Sequence, residues 1–253
     1  MRDTFLLLLC AVIPIAAQTF SSGSNGSDGP LDLTTPGTVT FDPKTLVPPR
    51  DLDGDGIYHF TTINIATGVT VKFRGDIINS PVVWLAQGAV QINGTIDASG
   101  QNGFAATSTT QRTFTIPGPG GFGGGYPAIG SNPPGPGLGP AGGAISGCEG
   151  WSNVAFNGGF TGNQFVVPLI GGSGGGGNGP TAGGAGGGAI LVARSVSITG
   201  TGSILARGGN HLYNSPVDRH SGGGAGGAIR LARLSQLSQK QGANPFRICT
   251  GIP

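Results

Sequence analysis

The chain has little charge. Lys and Arg number 13 and Asp and Glu 11 among 253 residues, for a formal net charge of +2. A disordered polyelectrolyte is excluded, because it needs low hydrophobicity together with high net charge. No nucleic-acid partner is expected, because the chain lacks a dense basic patch interleaved with aromatics. A sustained apolar period of 3.6 is also missing, so no amphipathic helix is expected, and the strand period of two prevails wherever a pattern exists. Beyond the N-terminus no apolar run reaches the ~20 residues of a membrane span, so no transmembrane segment is expected.

What the chain has is glycine, 52 residues of it beside 19 prolines, with 30 of the glycines between Gln101 and Gly188. Composition of that kind suggests low complexity. Apolar residues nevertheless make up 37% and mean hydropathy is +0.09, enough for a core. An interior Gly costs a helix about 1 kcal/mol and a Pro about 3, so helical architectures are disfavoured. The glycines keep no strict three-residue spacing, which excludes collagen.

The N-terminus reads as a processing signal. Arg2 precedes an apolar run from Phe5 to Ile15, and Ala16 and Ala17 offer small residues for cleavage. Residues 1–17 are therefore a secretory signal peptide, and the mature protein is expected to be secreted, extracellular or at the cell surface. Cys10 leaves with the signal. Cys148 and Cys249 remain and form one candidate disulfide in an oxidising compartment, closing a loop worth up to about 4.7 kcal/mol in the chain-entropy model. Two buried free thiols are the alternative. Residues 18–37, rich in Ser, Gly and Asn, read as a flexible leader, and residues 38–253 as a single domain.

Internal repetition organises that domain. Val69 and Val71 in Gly68–Phe73 are matched 21 positions later by Val90 and Ile92, and Ser195–Ile198 is a third copy. Thr95–Gly100 and Ser203–Gly208 continue the second and third copies, and the apolar runs Val82–Ala86 and Ala189–Ala193 precede them. A second repeat places Ala-Gly-Gly-Ala-Ile at Ala141, Ala-Gly-Gly-Gly-Ala-Ile at Ala185 and Ala-Gly-Gly-Ala-Ile at Ala225. Short strands, turns and a shared interior that recur in this way describe coils of a parallel β-solenoid. The fold class expected is all-β, a right-handed parallel β-helix with a long glycine-rich excursion over about residues 101–188. Three states are open to that excursion: a disordered loop, an ordered irregular loop held by its aromatics, or extended polyglycine-II-like segments packed on the solenoid. The packed state ranks first, because such segments lack internal hydrogen bonds and neighbouring chains then satisfy the backbone.

Through Gly88–Gly100 and Gly223–Leu231 the chain resembles secreted, glycine-rich bacterial proteins assigned to pectin-lyase-like right-handed parallel β-helices. The glycine block is similar in composition to polyglycine bundles of some antifreeze proteins and phage adhesin tips. The resemblance implies a surface or extracellular β-helix and brings no catalytic residues with it.

Chemistry-bearing motifs are few. Asp51, Asp53 and Asp55 with Gly56 fit the first half of a calcium loop, although Thr62 stands where the bidentate acid belongs. A polar turn before a strand explains the same residues. Gly171–Gly175 matches a nucleophile elbow, but a glycine run meets that pattern by chance. Asp218, His220 and Ser221 adjoin without the spatial assembly a triad needs, and His59 and His211 lack metal-ligand spacing. A β-helix lyase or hydrolase needs acids clustered on one face, whereas beyond residue 100 only Glu149 and Asp218 occur, against eight bases. The threonines are not expected to form the regular ladder an ice-binding face requires. The leading expectation is a non-enzymatic, adhesin-like or matrix protein, with extracellular polysaccharide or cell-surface glycan as partner. A β-helix carbohydrate-active enzyme and an ordered-surface or ice-binding protein are the alternatives.

Overall fold

The computed structural model describes residues 21–51, 54–107, 111–145, 155–159, 162–163, 165–195, 198–214 and 219–232. The expected signal peptide, Cys148 and Cys249 lie outside them. The described residues are all-β and contain no helix. The strands are β1 (Gly29–Leu33), β2 (Gly37–Thr40), β3 (Ile57–Ile65), β4 (Val69–Lys72), β5 (Val82–Ala86), β6 (Val90–Ile92), β7 (Thr95–Asp97), β8 (Ala189–Arg194), β9 (Ile198–Thr199), β10 (Ser203–Leu205), β11 (Tyr213–Asn214), β12 (Arg219–His220) and β13 (Ala228–Ala232).

Two parallel sheets carry the core. The larger has the order β13-β8-β5-β3-β6-β9 with β1 also on β3; the smaller has the order β10-β7-β4-β2. The chain passes repeatedly from the first sheet to the second, from β1 to β2, β3 to β4, β6 to β7 and β9 to β10. Parallel pairing in register stacks like residues into columns, because a period of two sends alternate side chains inward. Val39, Val71, Ile96 and Ile204 form the inward column of the smaller sheet. Leu31, Ile63, Val90 and Ile198 form one in the larger, and Tyr58, Trp84, Val192 and Leu231 another. Each such Val, Leu or Ile contributes about 1.5–3 kcal/mol when fully buried.

The register differs from the 21-residue spacing read in the sequence. Early passes are offset by 25 to 27 residues, as Thr70 on Thr95, Ile57 on Val83 and Ile63 on Val90 show. Val69 and Val90, equated by the repeat, lie in different sheets. Both sheets present alternating apolar residues to one interior, so alternation alone does not tell one from the other. The later correspondences hold: Thr95 pairs with Ser203, and Ala189 with Ala228.

The leader is also different. Leu31, 1% exposed, lies in the core and β1 pairs with β3. Before it, Ser22 Oγ donates to the Ala86 carbonyl and Ser24 Oγ to the Phe60 carbonyl, both at 2.8 Å. Asn25 N–H donates to His59 Nδ1 at 3.3 Å. Serine side chains and the Asn25 backbone amide thus fasten a segment whose composition alone looks like linker.

Between β7 and β8 the chain leaves the sheets for about 90 residues (189 − 97 = 92) and returns in a register offset by 108, where Val82 pairs with Ile190 and Val90 with Ile198 (190 − 82 = 198 − 90 = 108). The glycine runs of this excursion are packed. Residues 171–179 and 181–190 are buried, and their backbones bond outward with a period of three. Amides 182, 185 and 188 donate to the carbonyls of Phe104, Gln101 and Ala98. Amides 183 and 186 donate to Gly125 and Phe122, and amides 184 and 187 to Gly222 and Ala225. Gly172 and Gly175 donate back to Gly187 and Gly184, and Gly174 and Gly177 to Leu138 and Gly135. Three residues per turn with bonds only to neighbours is the repeat of an extended, polyproline-II-type chain. At the closest approaches there is no room for a side chain: a Cβ on Gly186 would collide with the Gly172 carbonyl, and one on Gly174 with the Gly123 carbonyl.

Candidate functional site

The acidic loop before β3 is a set of turns. Asp51 sits at φ 55°, and Gly54 and Gly56 at 71° and 76° reverse the chain. Asp51 Oδ1 accepts from Gly56 N–H at 3.3 Å and Asp55 Oδ1 from Ile57 N–H at 2.7 Å. Asp53 lies outside the described residues. The acid that joins this loop to the sheet is Asp28, which sequence reading passed over because it fell in the supposed leader. Its carboxylate accepts from the amides of Asp51 and His59, each at 2.6 Å. Arg50 donates to the Asp28 carbonyl and, at 2.9 Å, to the Pro30 carbonyl, while its guanidinium lies 5.8 Å from the Phe60 ring centroid. Burial holds the Arg50 pKa below its ordinary value, against the opposing pull of Asp28. Burial, then Asp51, Asp28 and Asp42, pushes the Tyr58 hydroxyl well above the usual phenol range, so it stays a neutral core group.

Two further acids, Asp76 and Asp97, are engaged separately. Asp76 accepts two hydrogen bonds from Arg74, at 2.9 and 2.6 Å. Asp97 Oδ2 accepts from Lys72 Nζ at 2.7 Å, and Asp97 Oδ1 from Ser99 N–H at 2.9 Å. Burial alone would raise the Asp97 pKa; the hydrogen bonds from Lys72 and Ser99 outweigh it and leave the carboxyl below its ordinary value. A depressed pKa stabilises the fold above the unfolded value of about 3.9 and ceases to do so as pH falls through the folded one. Melting temperature should therefore drop between about pH 5 and pH 2, and Asp97→Asn should flatten that part of the curve. Thermal melts across that range check it. Glu149 and Asp218 lie outside the described residues.

Ser173, the centre of the elbow-like pattern, is buried in the glycine packing, where its Oγ accepts from Ala141 N–H at 3.2 Å. No helix follows it, so the pattern has no catalytic context. His220 stacks on Tyr213 with ring centroids 4.5 Å apart. Ser221 Oγ accepts from Leu212 N–H at 2.9 Å. His220 and Ser221 are thus tied to β11 and to Leu212 just before it.

The outward face of the smaller sheet holds a feature the sequence reading denied. Thr38 pairs with Thr70, Thr70 with Thr95 and Thr95 with Ser203, so four hydroxyl residues stand in one column across four strands. Thr95 Oγ1 and Ser203 Oγ are 3.2 Å apart. Adjacent strands are about 4.8 Å apart, which sets the repeat of the column. The neighbouring column, Thr40, Lys72, Asp97 and Leu205, is mixed. The threonines escaped notice because equal spacing along the chain does not hold; their alignment depends on offsets of 32, 25 and 108 (70 − 38, 95 − 70 and 203 − 95).

Comparison of the chain with protein families, with curated proteins and with solved structures finds no match. Among the described residues no helix is long and apolar enough to cross a membrane.

Proposed function

We propose that this chain is a secreted or cell-surface, non-enzymatic, adhesin-like scaffold: a right-handed parallel β-helix from which a polyglycine-II-like bundle projects. The observation that carries the reading is the three-residue hydrogen-bond period of the glycine segments. A bundle of that kind is held by its backbone and offers few side chains for chemistry, so it serves as a stiff body that presents its surface. The strand passes between two stacked parallel sheets support the solenoid, and the separate engagement of Asp76 and Asp97 supports a structural use of the acids. The partner class is extracellular or cell-surface glycan. The test is retention of the purified mature protein on a panel of anionic and neutral polysaccharides, with analysis of the eluted polymer. Retention without shortening of the polymer is expected; depolymerisation would overturn the reading in favour of a β-helix carbohydrate-active enzyme.

The hydroxyl column favours a second reading, adsorption to an ordered solid such as ice. Ice and a crystalline polysaccharide belong in the same panel. On this second reading Thr70→Lys, at the centre of the column, abolishes adsorption to ice; unchanged adsorption would remove it.

A further inference from the structure

Thr115 anchors a segment of chain on the glycine bundle. Its Oγ1 donates to the Gly183 carbonyl at 2.7 Å and accepts from Gly124 N–H at 2.9 Å. Phe114, the residue before it, is left 41% exposed. Leu138 is 40% exposed, although its N–H donates to the Gly123 carbonyl and its carbonyl accepts from Gly174 N–H. The two side chains flank Gly123, where a Cβ would lie 3.1 Å from Phe114 Cβ and 3.8 Å from Leu138 Cδ1. Arg112 stands beside them. Its guanidinium lies 4.5 Å from the Tyr126 ring centroid and donates to the Pro133 carbonyl at 3.3 Å. The Tyr126 ring meets that of Phe114 edge to face, centroids 5.1 Å apart, and is itself set against Gly135, where any Cβ would strike it. Tyr126 thus holds an exposed ring and a cation side by side on a rigid backbone.

We infer that Arg112, Phe114 and Leu138 form a binding site on the glycine bundle for an acidic polysaccharide, one whose sugars carry carboxylates. The inference rests on the glycan reading above and names its surface and the charge of its ligand. The ion pairs among the described residues are Lys72 with Asp97 and Arg74 with Asp76, so no described carboxylate neutralises Arg112. After residue 100 the sequence holds two acids against eight bases, and the complementary ligand is an anion. A guanidinium stacked on an aromatic ring keeps its in-plane N–H groups for a carboxylate, which it takes in a two-bond fork. The C–H groups across the face of a sugar ring match the electron-rich face of Phe114, while Leu138 extends the apolar floor. Two half-exposed apolar side chains fall far short of the ~800 Å² per partner that a stable protein interface buries. A polymer needs no more, because it binds through one short stretch at a time and offers the same stretch again along its length. Side chains held by pinned backbone lose little freedom on binding.

The test measures affinity for polygalacturonate, for its methyl ester, which has the same backbone without the charge, and for dextran. Arg112→Gln should weaken binding to polygalacturonate at least tenfold and leave binding to the ester unchanged. Phe114→Leu, which keeps an apolar side chain and so the fold, should weaken both at least tenfold. Arg230→Gln removes another exposed base, on β13, and should change neither by more than twofold. Raised salt should weaken binding to polygalacturonate alone. Equal losses for Arg112→Gln and Arg230→Gln would overturn the site in favour of diffuse charge attraction. Binding to any of the polymers that Arg112→Gln and Phe114→Leu leave intact would overturn the site while the glycan reading stands; binding to none would overturn both. A concentration-dependent dimer, seen by sedimentation and dissociated by Phe114→Leu, would also overturn it, since a second copy would then cover the patch.

Discussion

Gly186→Ala is expected to destabilise the protein by at least about 3 kcal/mol, the upper end of overpacking costs, or roughly 6–12 °C in melting temperature for a domain of this size. Gly174→Ala should do the same. The new methyl group meets backbone carbonyls, of Gly172 and Gly123 respectively, and a carbonyl that itself accepts a hydrogen bond has no rotamer through which to yield. Gly172 O accepts from Phe122 N–H, and Gly123 O from Leu138 N–H, so any shift breaks a further bond in the bundle. Gly226→Ala is the control. A Cβ there lies 3.7 Å from its nearest neighbour, the Ala206 carbonyl, and the substitution should change stability by less than about 0.5 kcal/mol or raise it slightly by restricting the unfolded chain. Equal melting curves for Gly186→Ala and Gly226→Ala would refute the close packing of the glycine segments.

The second large effect is expected at Trp84. Its ring touches three others, with centroids 5.3 Å from Phe41, 5.7 Å from Phe60 and 5.5 Å from Phe73, and it is fully buried in the column between Tyr58 and Val192. Trp84→Ala removes that ring from a cluster that cannot collapse, because parallel strands on both sides fix its walls, and should cost about 3–5 kcal/mol. Trp84→Phe should cost distinctly less. The indole Nε1 is buried without a hydrogen-bond partner among the described residues, a state that costs about 1–3 kcal/mol, and phenylalanine removes that donor while keeping most of the aromatic surface. Chemical denaturation of the two variants separates the contributions. A Phe variant as unstable as the Ala variant would mean that the indole is satisfied and its full size needed.

Strand alternation made β4, β6, β7 and β10 readable in the sequence, since Val69, Val90, Ile96 and Ile204 each recur beside polar neighbours. Alternation reports which face a residue takes and says nothing about which sheet it joins, so the offsets came out as 21 where pairing gives 25 to 27. Leu31 was missed because the serines and glycines before it carry the composition of a linker, while the bonds that order them, Ser22 to Ala86 and Ser24 to Phe60, join residues far apart in sequence. The column of Thr38, Thr70, Thr95 and Ser203 was hidden for the same reason. Packing of the glycine runs was legible in outline, because extended segments without internal hydrogen bonds need neighbours to satisfy the backbone, yet its three-residue period is a property of those neighbours and leaves no mark in the spacing of the glycines. At the candidate site, Asp51 and Asp55 were found by motif, whereas Asp28, which binds that loop to β3, has no motif at all.

The 108-residue offset between paired strands also bears on the order in which the molecule comes into being. Sheets dominated by such distant partners fold slowly, because loop closure precedes any contact that rewards it. During synthesis from the N-terminus, the passes through β7 are complete while β8 is still about 90 residues away (189 − 97 = 92), which at ~5–20 residues per second is several seconds. Throughout that interval β5 and β7 present open parallel edges, the state in which strands recruit wrong partners. The glycine segments, poor in the β-branched and aromatic residues that favour strands, are the part of the chain with the least tendency to occupy those edges before β8 and β10 arrive.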